Sequence, residues 1–345
     1  MSPGLSPLPG MRNEQQNGAH RSMNIRCLLV VLLAGTAAAL SQPTAARSPT
    51  ASKPACDRTC LYGFADRYLD ALAHRDAARL PWAAHARYTE NNVELAVGDG
   101  IWGTATKLGD YRLEFADVGA GQVGVFGVVQ ETDDRSGFAL RLKIEHGRIA
   151  EAEMIVVRLA DFGALGGGTN PFVNARFFDK PILEATLAPG QGSSRERMIG
   201  IANGYFDTLQ RNDGRLFTRF DPQCERYEDG ILTTNNPAKT LGPLTAYGCE
   251  RQFRLGGYRF DDRVRDRRFP LVDRERGLVL AAGFIDHTGR MGDFRLTDGS
   301  IEHAPVRRPH SFCYLELFKI VNGRIRQVES VFITVPYDMP SPWVG

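Results

Sequence analysis

An aspartate and a histidine stand side by side at Asp286–His287, closing the apolar run LVLAAGFIDH. A carboxylate beside an imidazole is a ready acid–base pair. In an extended strand, however, neighbouring side chains leave on opposite faces, so this pair reads as a strand-end turn. The seven histidines are scattered, without the spacing of metal ligands, and no metal site is expected. No Gly-x-Ser-x-Gly elbow offers a hydrolytic serine. FGALGGGTNP at 162–171 is glycine-rich, but no Lys-Ser or Lys-Thr follows it and it reads as a linker rather than a phosphate cradle. The run VRDRRFPLVDRERG at 264–277 has the arginines of an anion clamp; the simpler reading is a solvated hairpin whose Arg and Asp pair locally. No redox-cofactor motif is present, and no cofactor is expected.

The elements that must position such groups come in two copies. FADRYLDALAHRD at 64–76 is echoed by IANGYFDTLQRND at 201–213. The tyrosine-bearing segments ARYTEN and ERYEDG follow, and each copy closes on a matching hairpin, LKIEHGRIAEAEMIVV at 142–157 and FKIVNGRIRQVESVFI at 318–333. The repeat is too long for a solenoid unit. Leu61, Phe64, Ala65, Tyr68, Leu69 and Leu72 recur at helical spacing behind Asp57, a capping residue, and a short second helix is expected over 76–81. Alternating segments at 111–117, 122–131, 137–145 and 148–158 then read as strands. The second copy starts at Ser194 with Glu196 in the first turn, and its strands are expected near 224–234, 256–268, 277–287, 312–321 and 324–335. Helices followed by a long-stranded antiparallel sheet define an α+β class. The 345 residues suffice for two domains of roughly 100–150 residues each. The division is a leader over 1–46, a tether over 47–55, a first domain over 56–160, a linker arm over 161–194, a second domain over 195–337 and a tail over 338–345.

Charge and cysteines bound the surroundings. A net charge of +2 with 43% hydrophobic residues argues against nucleic acid or an acidic membrane as partner. The apolar run CLLVVLLAGTAAAL at 27–40 behind Arg26 matches a secretory signal, with Met23 a candidate start and cleavage expected between Ala39 and Ala46. The alternative is an uncleaved anchor. A secreted or periplasmic chain, off the membrane once the signal is removed, meets an oxidising compartment. Cys224 and Cys249 flank a loop in the second copy and are expected to pair, a closure worth about 3 kcal/mol. Cys56 and Cys60 lie one helical turn apart and can pair if that turn distorts; Cys313, in a strand pattern, reads as a buried small hydrophobe.

The order helix, Tyr-x-x-Ala-Leu, an extended Arg-Tyr segment and a curved sheet ending in a Gly-Arg-Ile hairpin resembles the nuclear transport factor two-like superfamily, with its SnoaL-like and ketosteroid isomerase-like enzymes. The chain also looks like secreted tandem members of that group. The resemblance implies two cone-shaped domains, each a curved sheet wrapped over helices around an apolar pocket for a small molecule. Packing of the pair as an intrachain pseudo-dimer is expected with it. Carried over residue by residue, it assigns Tyr205 as a helix donor, Asp229 as a base and Glu316 as a second donor. Tyr68 and Glu90 take the first two places in the first copy, where Leu140 stands at the third. Tyr88, Trp102, Glu131 and Tyr227 are expected to line the pockets. A carboxylate in an apolar cone has a raised pKa and becomes a usable base, while a tyrosine or a neutral carboxyl polarises a carbonyl. Ketosteroid isomerases work by that chemistry. Each residue also has a plainer reading: Tyr68, Tyr205 and Trp102 as core aromatics, Asp229 as a turn residue before Gly230, Glu316 as outward-pointing. The function implied is a cofactor-independent isomerase or lyase, or a non-catalytic binder of a small apolar molecule.

Overall fold

The computed structural model describes residues 56–132, 134–158, 176–239 and 241–344. The signal and tether readings, and the glycine-rich linker, lie outside the described residues. The first domain runs α1 (Arg58–Ala73), a 3-10 turn (Ala77–Arg79), β1 (Trp82–Glu90), β2 (Val93–Leu95), a second 3-10 turn (Gly100–Gly103), β3 (Ala105–Asp117), β4 (Gln122–Glu131), β5 (Asp134–Glu145) and β6 (Arg148–Arg158). After a short α2 (Pro181–Glu184), the second domain follows with α3 (Arg195–Arg211), β7 (Phe220–Glu228), β8 (Ile231–Leu232), α4 (Cys249–Leu255), β9 (Arg263–Asp273) and β10 (Leu278–His287). It closes with β11 (Asp293–Arg295), β12 (Ile301–His303), β13 (His310–Val321) and β14 (Arg324–Val335).

Both long helices begin as their sequences dictate. The Asp57 side chain accepts from the Cys60 amide, and Ser194 accepts from the Arg197 amide, each satisfying an orphan donor of the first turn. Asn212 closes α3 in the left-handed conformation that its side chain tolerates. The apolar stripe from Leu61 to Leu72 is buried against the first sheet, as its period requires. The expected helix over 76–81 is only the first 3-10 turn. In the second domain the segment expected as a strand over 256–268 starts instead at the end of α4, and its strand is β9.

The sheets are copies of one another. Their strand orders are β2-β1-β6-β5-β4-β3 and β8-β7-β14-β13-β10-β9. In each, the first strand of the domain joins the last in parallel and all other pairings are antiparallel. Two tandem α+β domains therefore stand where the sequence shows two repeats. Both disulfides form: Cys56 bridges Cys60 across the start of α1, and Cys224 bridges Cys249, tying β7 to α4. Cys313 is free and buried.

The faces of the sheets turned away from α1 and α3 meet each other, with β6 against β14 and β3 against β9. Tyr111, Phe115, Phe126 and Ile155 of the first domain share one apolar cluster with the core of the second. Polar groups fix the register of this contact reciprocally. Asp273, at the end of β9, takes Arg58 from the first turn of α1 at 2.6 Å and the Ala116 amide at 3.1 Å. Asp117, at the end of β3, takes Arg195 from the first turn of α3 and the Val272 amide at 2.9 Å. The run 264–277 is consequently no solvated hairpin. It is β9 and its turn, whose Arg268 reaches Glu153 of the other domain and whose Arg267 holds Asp207 at 2.5 Å. The linker arm packs too: Leu183 is buried in the shared cluster, and Lys180 bonds Glu329 at 3.1 Å while lying over the Tyr227 ring. The tail reaches back to the first domain, where Trp343 meets Thr89 and sits under Arg141.

Burial alone would raise the pKa of Asp273, but the Arg58 hydrogen bond and the amides of Ala116 and Arg276 outweigh it and hold the carboxyl below its ordinary value. A depressed carboxylate stabilises the fold above its unfolded-state pKa and ceases to do so as pH falls through the folded one. Asp273→Ala should cost about 3 kcal/mol in urea unfolding at neutral pH, because it leaves buried donors unpaired. The gap from the parent chain should narrow as the pH drops below about 4.

Candidate functional site

The helix-side face of the second sheet carries a compact polar cluster inside an aromatic surround. Tyr205, one of the buried residues of α3, makes edge contacts with Phe206, Phe220, Phe253 and Phe318 at centroid distances of 5.3, 6.4, 5.2 and 5.0 Å. Its hydroxyl accepts from Arg226 at 3.4 Å. The Arg226 guanidinium, fully buried on β7, also donates to Thr233 at 3.1 Å, Gln252 at 2.8 Å and Tyr258, and pairs with Glu228 at 2.9 Å. Gln252 sits on α4, so the Cys224–Cys249 bridge locks together the two elements that supply this guanidinium and its acceptor.

Glu316 of β13 faces the same cluster and is 4% exposed. Burial, and then the like charge of Glu228, push its carboxyl up to about 8, against the opposing effects of Arg226 and the Tyr205 hydroxyl. Glu228 is also raised, by burial first and by Asp261 nearby, with Arg226 opposing. Its side chain keeps 26% exposure, so it is the carboxylate of the pair nearer to solvent. Tyr205 is driven well above its ordinary value by burial and by Glu316. At neutral pH the cluster thus presents a neutral carboxyl and a neutral phenol as donors, with Glu228 paired to Arg226 on the solvent side.

The structure places Tyr205 and Glu316 in one cluster, and Asp229 outside it. Asp229 and Gly230 occupy the two-residue turn between β7 and β8, with φ of 46° and 81°. The Asp229 carboxylate accepts from the Phe332 amide at 3.0 Å and braces β14. Asn91 does the same in the first domain, with φ of 51° and the Val156 amide at 2.8 Å. The turns, rather than the Arg-Tyr pairs, are the equivalent points. Tyr88 pairs with Ala152 on β6, and Arg226 with Val328 on β14. Against the two Gly-Arg-Ile hairpins these are matching registers, so Glu90 corresponds to Glu228. A one-residue slip sends alternate side chains to the other face. Tyr227 accordingly lies outside the cluster: it packs on Phe178 and Lys180 between the domains. The Asp-Gly turn signal is the feature that fixes this register from sequence.

The first domain holds a different set. Glu90 accepts from Tyr88 at 3.0 Å and from the Ile101 amide at 2.6 Å. Arg158 bonds Glu131 at 2.7 Å and approaches Glu90 at 3.4 Å. Burial would raise Glu131, but Arg158, Thr104 and Ser136 outweigh it and lower its pKa. Trp102, in a 3-10 turn over Gly100–Gly103, lies edge-on to Tyr68 at 5.0 Å. Leu140 fills the place that Glu316 takes in the second domain, and it is fully buried.

Asp286 and His287 do face opposite ways. Asp286 bonds Ser311 at 2.6 Å and Arg265 at 3.0 Å, whereas His287 meets Asp261 at 2.9 Å. Among the described residues no group of three or more His, Cys, Asp or Glu is arranged to hold a metal ion. None of their helices is long and apolar enough to cross a membrane.

Two homologous α+β domains in tandem, with an ionisable cluster under the sheet of the second, define the class. The family model described as Domain of unknown function (DUF8021) matches residues 55–156 and 191–332, most of both repeats, and the chain belongs to that family. No curated protein matches. Among solved structures, a protein from Sphaerobacter thermophilus is similar at 18% identity, over 28% of this chain and 94% of that one, with a TM-score of 0.24. A steroid delta-isomerase from Pseudomonas aeruginosa is similar at 12% identity, over 31% of this chain and 86% of that one, also with a TM-score of 0.24.

The turn assignment of Asp229 has a direct test. Asp229→Asn keeps the acceptor and tolerates the positive φ, so its unfolding free energy should stay within about 1 kcal/mol of the parent. Asp229→Ala should lose about 2 kcal/mol, through the orphaned Phe332 amide and backbone strain.

Proposed function

We propose that the chain is an exported protein whose second domain is a cofactor-independent proton-transfer site for a small carbonyl-containing molecule, acting as an isomerase or lyase. In this reading each domain is a cone of the ketosteroid isomerase-like kind, and the pair packs as an intrachain pseudo-dimer. The observation that carries it is the pairing of Glu316, held neutral beside Tyr205, with Glu228 across Arg226. Glu228 takes the role that the resemblance assigns to Asp229. As base it removes a proton from the carbon next to the carbonyl, and the electron pair moves onto the carbonyl oxygen. Tyr205 and Glu316 donate hydrogen bonds to that oxygen as charge develops. Return of the proton to another carbon gives an isomer; loss of a leaving group gives a lyase product. Arg226 positions Glu228 and Tyr205. Export is supported by two disulfides, which persist in oxidising compartments.

Leu140 favours a second reading for the first domain. Without the deep carboxyl, that domain binds a small apolar molecule or serves as structural partner, and does not turn it over.

Proton exchange from a β,γ-unsaturated cyclic ketone, followed in heavy water by NMR and by the absorbance of the conjugated product, tests the proposal. Glu228→Gln should reduce the rate by at least about a hundredfold while binding persists. Unchanged exchange in that variant would remove Glu228 as base. The parent rate should fall as the pH rises through about 8, where Glu316 loses its proton.

Glu316→Gln should abolish exchange and yet stabilise the fold. A carboxyl whose folded pKa is raised loses stability as pH climbs from its unfolded value to the folded one. The variant should therefore melt higher than the parent at pH values near and above 8, with little difference at pH near 4.

A further inference from the structure

The two domains differ at two joints, the β8–β9 connection that carries α4 and the joint between β10 and β13. In the first domain the counterpart of the latter is short: Glu131 and Asp134 pair directly, so two residues connect β4 to β5. At the equivalent joint of the second, His287 and His310 pair directly, and residues 288–309 are inserted between them. The insert carries the separate two-stranded sheet β11–β12. It is held down by a small cluster of its own, in which Phe294, Leu296 and Ala304 meet Leu255, and by Thr297, which bonds the Leu255 and Arg254 carbonyls. Its root is tight: Gly289, at φ 67°, lies so close to Arg308 that a Cβ would come within 2.6 Å of the Arg308 nitrogen.

At the root of this insert lie two imidazoles with stranded lone pairs. His287 is fully buried and His310 is 3% exposed; their rings stack at 4.7 Å, at 20° to one another. His287 Nε2 faces the Asp261 carboxylate at 2.9 Å, and a carboxylate only accepts, so Nε2 carries the proton and Nδ1 the lone pair. His310 Nδ1 faces the Arg308 carbonyl at 3.0 Å, which by the same logic leaves the lone pair on Nε2. Among the described residues neither His287 Nδ1 nor His310 Nε2 meets a hydrogen-bond donor, and both are sealed from solvent. An acceptor buried in this way is costly, and the fold retains two side by side. The surrounding wall is aromatic: Phe312 lies 4.7 Å from His287 and Phe260 lies 6.2 Å from it.

We propose that Asp261, His287 and His310 form a second ligand site in this domain, closed by the inserted hairpin 288–309, and that its ligand is a small aromatic molecule bearing a hydroxyl donor. The hydroxyl donates to the bare nitrogen of His287, whose other nitrogen is anchored by Asp261, while the ring stacks among the phenylalanines. The hairpin, fastened by a small cluster, must lift for the ligand to enter. The site borders the first one, since Asp261 lies near Glu228, but it does not depend on the roles given to Glu228 and Glu316.

Acylation of histidine by diethyl pyrocarbonate, read by peptide mass spectrometry, reports on the closure; the exposed His85 and His303 serve as internal references. In the full chain His287 should react at least about tenfold more slowly than His85. Replacing 288–309 with the dipeptide Asn-Gly should bring His287 to the reactivity of His85. Phe294→Ala, which leaves the insert in place but loosens it, should raise the rate by several-fold. Phenol should then shift the imidazole nitrogen resonances of His287 in the parent chain, whereas anisole, which lacks the donor, should not. His287→Phe should abolish the response, and Glu316→Gln should leave it intact. If Phe294→Ala leaves His287 as slow as in the parent, the hairpin is not the closure. If phenol and anisole act alike, or phenol gives no shift in any variant, the hydroxyl site is overturned.

Discussion

Asp117 and Asp273 hold this molecule in register. Each ends a strand of its own sheet, takes an arginine from the first turn of the other domain's helix, and accepts a backbone amide from the facing strand. An apolar face is non-directional and would let two twisted sheets slide. Two carboxylates with fixed backbone donors do not slide, because any shift strands a buried charge. The same registry sets Tyr111 against Glu329 at 2.8 Å and Arg268 against Glu153. With the outer faces spoken for, each helix-side face is left to shape its own interior.

In the second domain that interior is electrostatically tense. Two glutamates lie near one guanidinium in a largely aromatic surround, and burial raises the pKa of both. Glu316, the deeper, is pushed up to about 8; Glu228, nearer solvent, pairs with Arg226. The disulfide from Cys224 to Cys249 and the hydrogen-bond web around Arg226 make this arrangement stiff. For the proposed proton transfer such stiffness matters, since the donors must already point where charge would appear.

Much of this is legible in the chain. The repeated hairpins disclose the tandem architecture, the capping residues mark both helix N-termini, and the cysteine spacing pairs Cys224 with Cys249. Tyr205 and Glu316 are reached through the family resemblance, with the Gly-Arg-Ile hairpins as the point of alignment; strand alternation alone leaves the outward reading of Glu316 open. The misplacement of Asp229 has a simple cause: the two Arg-Tyr pairs look equivalent, but the strands are offset by one residue, and period-two geometry turns that offset into a change of side. The arginine-rich run is deceptive because charge patterning alone does not tell a solvated hairpin from a strand whose partners lie on another domain. Asp261 is invisible as the partner of His287, because it is 26 residues away in the chain.

The unequal joints at Glu131 and His287 bear on how such a chain diversifies. A duplicated domain that shares its rear face with a twin draws part of its folding stability from that twin. The twin that keeps short connections acts as ballast, and the other is free to acquire insertions, unpaired imidazoles and crowded carboxylates that a solitary domain of this size would struggle to tolerate. Novelty in related chains should therefore gather on one half, with the quieter half diverging mainly where it does not touch its neighbour.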